Sequence, residues 1–168
     1  MKKVLLLLAV LLVSFQLNAQ WVNQTSGLAG TVSLNTVSAV DNNICWIVAA
    51  GGVVIRTTNA GATWTSVGGG AIGVNDVYNI TAWDVNNCLV TTAPAATFIY
   101  RTTNGGTTWT QVFTQTGGFI DAMLYTSATN VFVYGDPVGH RWTLFKSTDG
   151  GATFYSTGLF LAQVSTEA

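Results

Sequence analysis

One nine-residue pattern occurs three times along this 168-residue chain, and it constrains the fold more than any other feature. Asn59, Asn104 and Asp149 hold the same place in the three copies and follow one another at intervals of 45 residues. A fixed period of this length indicates a chain built from stacked copies of one structural unit. The copies run from Arg56 to Trp64, from Arg101 to Trp109 and from Lys146 to Phe154.

Each unit contains four short extended runs, a to d, separated by turn-forming residues. In the first unit the runs cover about residues 32–40, 44–49, 53–57 and 64–67, with Asp41-Asn42-Asn43 and Gly51-Gly52 between them. Four antiparallel strands in about 40 to 45 residues are typical of a β-propeller blade. We therefore predict an all-β fold with units at about 26–67, 68–112 and 113–157, preceded by a lone strand at 20–25.

The composition supports strands and excludes other classes of protein. The chain has 25 Thr and 20 Val but one Glu and three Lys. β-Branched residues favour strands, whereas Glu and Lys favour helices. The high apolar content excludes extensive disorder, and a net charge of -1 gives no basic field for a nucleic-acid partner.

The repeated turn has the same chemistry in each unit. A hydroxyl and an Asn or Asp side chain can bond loop amides, a Gly can take a positive φ, and an aromatic ring anchors the turn in the core. With its Arg-Thr-Thr entry and Gly-Gly turn, the pattern resembles the Asp-box, or BNR repeat, of sialidases, sortilin-type receptors and, most of all, photosystem II assembly-factor-like propellers. The residues in these structural roles are Thr57, Asn59, Gly61 and Trp64; Thr102, Asn104, Gly106 and Trp109; and Ser147, Asp149, Gly151 and Phe154.

The resemblance implies that the boxes are scaffold, because sialidase chemistry lies on the opposite face of such propellers. That chemistry needs three Arg, a Tyr/Glu pair and an Asp acid. Arg56 and Arg101 hold equivalent places beside the boxes and cannot converge with Arg141, and Glu167 is terminal. We therefore expect no catalytic residue and an exported, non-enzymatic binding or assembly-scaffold module. The alternatives are a sialidase-like hydrolase or glycan-binding propeller whose catalytic half is missing from the chain, and a repeat without a discrete ligand.

Residues 1–19 have the order of a secretory signal peptide. Lys2 and Lys3 precede an apolar run from Val4 to Val13, and Ala19 supplies a small residue at the cleavage point. The run is shorter than the roughly 18 residues that span a bilayer. We expect a secreted, periplasmic or cell-surface protein with no transmembrane segment after signal removal. The signal ending and the Thr- and Asn-rich composition resemble secreted Bacteroidetes proteins.

The repeats predict a partial propeller. Closed propellers have roughly four to eight blades, whereas residues 20–168 provide about three units. The chain is then either a fragment of a larger closed propeller or an open array that assembles with copies of itself. Open blade edges expose unpaired strands, so the second possibility predicts self-association.

Two cysteines and one histidine offer little cofactor chemistry. Cys45 and Cys88 hold equivalent positions in neighbouring units, with Phe132 third. Equivalent positions on adjacent blades exceed the roughly 7 Å limit for a disulfide, so free thiols are favoured over the disulfide typical of exported proteins. No metal site or cofactor is expected. Trp46, Trp83 and the other aromatic residues of strands a and b are expected in the core.

The candidate ligand site lies on the connections between strands b and c. These lengthen along the chain, from Gly51-Gly52 through 93–97 to 135–142, and the last is expected to be a long polar loop. Strand alternation places them on the face away from the boxes, where strand a begins. A sugar or peptide, from a glycan or protein partner, would bind there. Alternatively, Asp136-Pro137 only shapes a turn, and Asp76 and Asp121 only form capping hydrogen bonds to loops. The candidate residues are Asp76, Asp121, Asp136, His140, Arg141 and Trp142.

Overall fold

The computed structural model describes residues 23–28, 30–159 and 161–162, which form three antiparallel sheets. The first sheet has β1 (Leu34–Ala39), β2 (Cys45–Ala49), β3 (Val54–Thr57) and β4 (Thr65–Ser66). The second has β5 (Val77–Ala82), β6 (Cys88–Thr92), β7 (Thr97–Thr102) and β8 (Thr110–Gln115). The third has β9 (Ile120–Tyr125), β10 (Val131–Val138) and β11 (Arg141–Ser147). Consecutive strands pair within each sheet, which confirms the predicted all-β blades. A short 3-10 turn, Gly70–Ile72, links the first two sheets.

The third blade departs from the predicted four strands at its outer edge. Within the described residues, the segment after β11 pairs with that strand only through the isolated bridges Lys146–Tyr155 and Arg141–Ala162. Between the bridges, a turn closed by the Leu159 amide and the Ser156 carbonyl (2.9 Å) bends the chain away from the sheet. The outer strand of this blade is therefore interrupted, whereas β4 and β8 complete the first two.

The blades pack face to face and bury an apolar layer between each pair. Trp46 of β2 lies in the first layer with Val90 of β6, and Leu89 of β6 lies in the second with Val131 of β10. Because alternate residues of a strand point to opposite faces, β6 contributes to both layers and is buried throughout. β10 instead alternates between buried and exposed residues, as expected for a strand covered on one face.

We call the side of each blade that points toward the next blade in the chain its forward face. On the third blade this face is exposed: Leu124 is 60% exposed, Phe132 37% and Tyr134 40%. Trp83, in the turn after β5, is 41% exposed. The prediction that the aromatic residues of strands a and b are core is therefore right for Trp46. It is wrong for Phe132 and Tyr134, whose face no described sheet covers, and for Trp83, which lies in a turn beside Tyr125.

Side chains of the first strand of each blade join it to the next blade. The Ala82 amide donates to Ser38 Oγ (3.0 Å), and the Tyr125 amide donates to Thr81 Oγ1 (3.3 Å). The register places Leu124 at the corresponding position of the third blade. The forward face of that blade therefore lacks the hydroxyl that links the earlier pairs. Two further links are the bonds from Thr36 Oγ1 to the Tyr78 carbonyl and from Asn79 Nδ2 to the Ile120 carbonyl, both 2.6 Å.

The cysteines are free thiols, and their repeat series differs from the predicted one. The equivalent box residues Thr57, Thr102 and Ser147 each pair with a residue of the neighbouring strand. Those partners are Cys45, Cys88 and Val131. Val131, not Phe132, is thus third in the series, because the strand pairing, and not the hydrophobic run, sets the register. Burial raises the pKa of the Cys88 thiol well above its ordinary value.

The predicted signal peptide, residues 1–19, lies outside the described residues, as does the first half of the lone strand predicted at 20–25. Residues 23–28 form no strand. The Gln24 side chain lies against Gly61 in the first box. Among the described residues there is no helix with the length and apolarity needed to cross a membrane.

Candidate functional site

The three boxes make the same hydrogen bonds. In the second box, Thr102 Oγ1 accepts from the Gly106 amide (2.9 Å) and Asn104 Oδ1 accepts from the Thr108 amide (3.0 Å). Each box therefore closes its own loop through side chain–backbone bonds. The corresponding bonds join Thr57 to Gly61 (2.9 Å), Asn59 to Thr63 (2.9 Å), Ser147 to Gly151 (2.8 Å) and Asp149 to Thr153 (2.9 Å).

The aromatic residues of the boxes are buried to different degrees. Trp109, in the middle blade, is 7% exposed and donates from Nε1 to the Val67 carbonyl of the preceding blade (2.8 Å). Trp64 and Phe154 are only partly buried. The middle box is thus the one most firmly held between neighbours.

Arginine side chains fasten each blade to the next on the box side. Arg56 Nη1 donates to the Val85 carbonyl (2.5 Å), and Arg101 Nε donates to the Gly150 carbonyl (2.8 Å). Lys146 holds the same place in the third blade, where its ammonium lies 5.4 Å from the centroid of the Phe132 ring. The two arginines are structural links between blades, a role that their recurrence at one repeat position signals but that sequence reasoning missed, whereas Lys146 contacts a ring of its own blade.

Asp149 is the ionisable member of the box series, since the equivalent residues are Asn59 and Asn104. Desolvation raises its pKa, but hydrogen bonds from Thr153, Ser147 and the Ala152 amide outweigh it and lower the pKa from 3.8 to about 2. The folded state therefore holds this proton less tightly than the unfolded state. Its contribution to stability is complete above about pH 4 and is lost as the pH falls toward 2.

We expect the replacement Asp149→Asn to flatten the acid side of the stability curve. Between pH 5 and pH 2, the melting temperature of the wild type should fall more than that of the variant, because the amide does not titrate. Thermal denaturation followed by circular dichroism across this range measures the difference. Parallel curves for the two proteins would contradict the assignment of this carboxylate.

The hairpin formed by β10 and β11 carries most of the candidate ligand residues. The prediction of a long loop at 135–142 is wrong: the strands continue through a bulge between Gly135 and Pro137, and only Gly139 and His140 lie between them. Both have positive φ values, 59° and 62°, as a type I′ turn requires. The connection is therefore shorter than those of the first two blades.

Two carboxylates of the third blade lie near each other, Asp136 at the bulge of β10 and Asp121 on β9. The Asp136 amide donates to the Phe119 carbonyl (2.8 Å), which ties β10 to the start of β9. Partial burial, and then the negative charge of Asp136, raise the pKa of Asp121. Asp76 lies apart from them: its Oδ1 accepts from the Gly51 amide (2.7 Å) and so caps the connection between β2 and β3.

The remaining candidate residues point in different directions. His140 is exposed at the tip of the hairpin. Arg141 Nη2 donates to the Leu159 carbonyl (3.3 Å), toward the segment beyond β11. The Trp142 ring stacks on Tyr134 of the forward face, with centroids 5.7 Å apart. The third blade thus carries five of the six predicted residues, four on the hairpin and Asp121 on β9, without forming one compact cluster.

A cavity of about 360 Å³ lies beside the hairpin, between the second and third blades. Phe113 and Gln115 of β8 line one side, Thr143 and Phe145 of β11 the other, and Leu159 closes it. Gln115 Nε2 donates to Thr143 Oγ1 (2.7 Å), while its buried Oε1 has no hydrogen-bond partner among the described residues. Sequence reasoning missed this cavity because it arises from the interrupted outer strand.

The described residues contain no group of three or more His, Cys, Asp and Glu side chains that could hold a metal ion. Blades closed by Asp-box turns and stacked face to face define the class of protein, which is an Asp-box β-propeller, present here in part. The family model described as photosynthesis system II assembly factor YCF48 matches residues 9–133. The chain belongs to this family. A comparison with curated proteins gives no match.

Solved structures agree with the propeller fold. A structure entitled "YCF48 bound to D1 peptide" superposes with a TM-score of 0.59 at 16% identity, covering 76% of this chain and 40% of that one. YCF48 from Cyanidioschyzon merolae gives 0.56 at 19% identity, with coverages of 76% and 40%. A GH74 enzyme from Niastella koreensis gives 0.57 at 20% identity, with coverages of 73% and 22%. The chain thus spans about two-fifths of the length of the YCF48 structures.

Proposed function

We propose that this protein is an exported, non-enzymatic scaffold module that binds a partner polypeptide at the β10–β11 hairpin. Membership of the assembly-factor family supports the scaffold role, and a structural neighbour is described as bound to a peptide. The order of charged, apolar and small residues at 1–19 supports export. The observation that carries the proposal is the rigid hairpin, whose two-residue turn presents polar groups of both charges at one end of the blade.

The chemistry of the hairpin suits a polypeptide. The Asp121 and Asp136 carboxylates provide acceptors for amide or cationic groups, and the exposed His140 provides ring nitrogens that can donate or accept a hydrogen bond. Because the turn and the bulge fix the backbone, little conformational entropy is lost when a partner binds. Mixed charge favours recognition of a particular polypeptide over attraction of any anion.

A glycan partner is the second candidate function. GH74 enzymes occur among the structural neighbours, and partial burial and then the charge of Asp136 raise the pKa of the Asp121 carboxyl. Glycosidases use a pair of carboxyl groups as an acid and a base or nucleophile. Glycan binding without binding of any polypeptide would favour this candidate over the scaffold role.

The hairpin proposal is tested by measuring binding to arrays of random octapeptides and of oligosaccharides. For a peptide selected on the wild type, Asp136→Ala, His140→Ala and Arg141→Ala should each weaken binding about five- to tenfold, the loss expected for one polar contact. Thr103→Ala, an exposed change on the box side, is the matched control and should bind like the wild type. Unchanged affinity in all three hairpin variants would exclude this site.

A further inference from the structure

We infer that two copies of this chain associate head to tail, with the forward face of the third blade of each copy packed against the first blade of the other. The surface that it meets is the side of the first blade that points away from the second, which we call the rear face. The rear face carries Leu34, Val37 and Ile47. The contact joins sheet faces and not strand edges, and it does not depend on the binding of a polypeptide at the hairpin.

The rear face of the first blade is apolar and exposed. Leu34 is 53% exposed and Val37 58%. Strand register places the equivalent residues of the second and third blades in the two layers between blades, where all of them are buried. Those equivalents are Val77 and Ile80 in the second blade and Ile120 and Met123 in the third. The rear face therefore carries one half of an interblade layer, which no sheet of the described residues covers.

The forward face of the third blade carries the other half of such a layer. Phe132 holds the place that Trp46 and Leu89 hold in the first two blades, where both are fully buried. Phe132 is instead exposed, as is Leu124, which pairs with it across β9 and β10. A second copy, placed as the next blade would be, covers this face with its own rear face. Removal of both apolar surfaces from water drives the association.

A basic side chain supplies a polar link at the same joint. Within the chain, Arg101 donates to the carbonyl of Gly150, the residue after the box Asp. Ala60 holds that turn position in the first blade, where it is exposed and has a φ of 56°, close to the 70° of Gly150. Lys146 holds the place of Arg101 in the third blade. In the pair, its ammonium donates to the Ala60 carbonyl of the second copy, as Arg101 does within the chain.

The N-terminal segment leaves room for this contact. The Gln24 side chain lies against Gly61 in the first box, as Val67 of the preceding blade lies against Gly106 in the second. The residue of the third blade at the place of Val67 is Thr157, which lies in the turn that bends away from the sheet. A second copy can therefore approach the rear face without displacing Gln24.

Two copies are enough to close a ring. Each supplies three blades, so the pair has six, within the range of roughly four to eight found in closed propellers. A head-to-tail contact gives a ring when its rotations add up to a full turn, and an open filament when they do not. Because Leu124 lacks the hydroxyl of Ser38 and Thr81, the contact between copies has fewer polar links than those within the chain. We therefore expect the pair to dissociate on dilution.

Analytical ultracentrifugation of the purified wild-type protein over a range of concentrations tests the pair. The mass should be twice that of one chain at high concentration and should fall toward that of one chain on dilution. The mass of one chain at every concentration would overturn the inference, and so would a mass that rises beyond two copies. This measurement uses the unaltered protein, so it does not depend on how a variant folds.

Two variants test the two faces separately. Val37→Asp places a carboxylate on the rear face and Leu124→Asp places one on the forward face, and each should weaken association at least about tenfold, because a charge would be buried in the contact. Both side chains are exposed in the single chain, so both variants should keep the wild-type circular dichroism spectrum. Val74→Asp is the matched control, since Val74 is 85% exposed and lies outside both faces, and it should associate like the wild type.

Mixing the two variants distinguishes a head-to-tail contact from a contact between two like faces. The Leu124→Asp protein keeps its rear face and the Val37→Asp protein keeps its forward face. An equimolar mixture should therefore form pairs with one intact contact under conditions where neither variant pairs alone. Wild-type association of Val37→Asp would show that two forward faces meet, and would overturn the head-to-tail arrangement. A mixture that associates no better than either variant would overturn it as well.

Discussion

Trp109→Ala is expected to lower the free energy of unfolding by about 3–5 kcal/mol, the range for deletion of a buried aromatic side chain. Trp109 is buried in the middle blade, and its ring meets Trp46 of the first blade edge to face, with centroids 6.5 Å apart. Truncation would leave a cavity in the layer between the first two blades and remove the Nε1 bond to the Val67 carbonyl. Equilibrium denaturation in urea measures the change.

Trp64→Ala is the matched control, since Trp64 holds the same box position in the first blade but is only partly buried. Its loss should be clearly smaller, because less apolar surface returns to water. Equal losses in the two variants would show that burial between blades does not set the contribution of the box tryptophan. Wild-type stability in Trp109→Ala would contradict the packing of the middle blade.

Gly106→Ala is expected to cost about 2–5 kcal/mol, because it combines a strained backbone with a steric clash. Gly106 has a φ of 85°, which side chains rarely adopt. An added Cβ would lie 2.6 Å from Val67 Cβ and 2.9 Å from the Val67 carbonyl oxygen. Since the oxygen belongs to the backbone of the neighbouring blade, relief requires the blades to shift apart.

Gly117→Ala separates the two contributions. Gly117 also has a positive φ, 75°, but an added Cβ there would meet nothing within 4 Å. This variant should lose only about 1 kcal/mol, the cost of the backbone conformation alone. Melting temperatures of both variants provide the comparison, and a Gly106→Ala protein no less stable than Gly117→Ala would exclude the predicted clash.

The fold could be predicted from the sequence because its determinants are local and repeated. Residues such as Thr102, Asn104 and Gly106 satisfy one turn within a few positions of the chain, and three copies at one spacing reveal the blade. Alternation along β6 and β10 follows from strand geometry once the blades are placed. The class and the order of strands therefore needed no long-range information.

The site was less predictable because its geometry depends on contacts between blades. The stretch from Gly135 to Trp142 contains Gly, Asp and Pro, which favour a loop, yet cross-strand pairing extends both strands and leaves His140 in a two-residue turn. Arg101 links two blades because it donates to the Gly150 carbonyl, which lies 49 residues away in the chain. No local sequence pattern predicts such a contact. The cavity beside Gln115 follows from a strand that does not form.

The links from Ser38 and Thr81 to the following blade bear on how such repeats diverge. Both hydroxyls accept from main-chain amides, and the residues that donate, Ala82 and Tyr125, have unrelated side chains. A hydrogen bond from a hydroxyl to a main-chain amide does not depend on the side chain of the residue that supplies the amide. Successive blades can therefore diverge in sequence while their relative placement is kept.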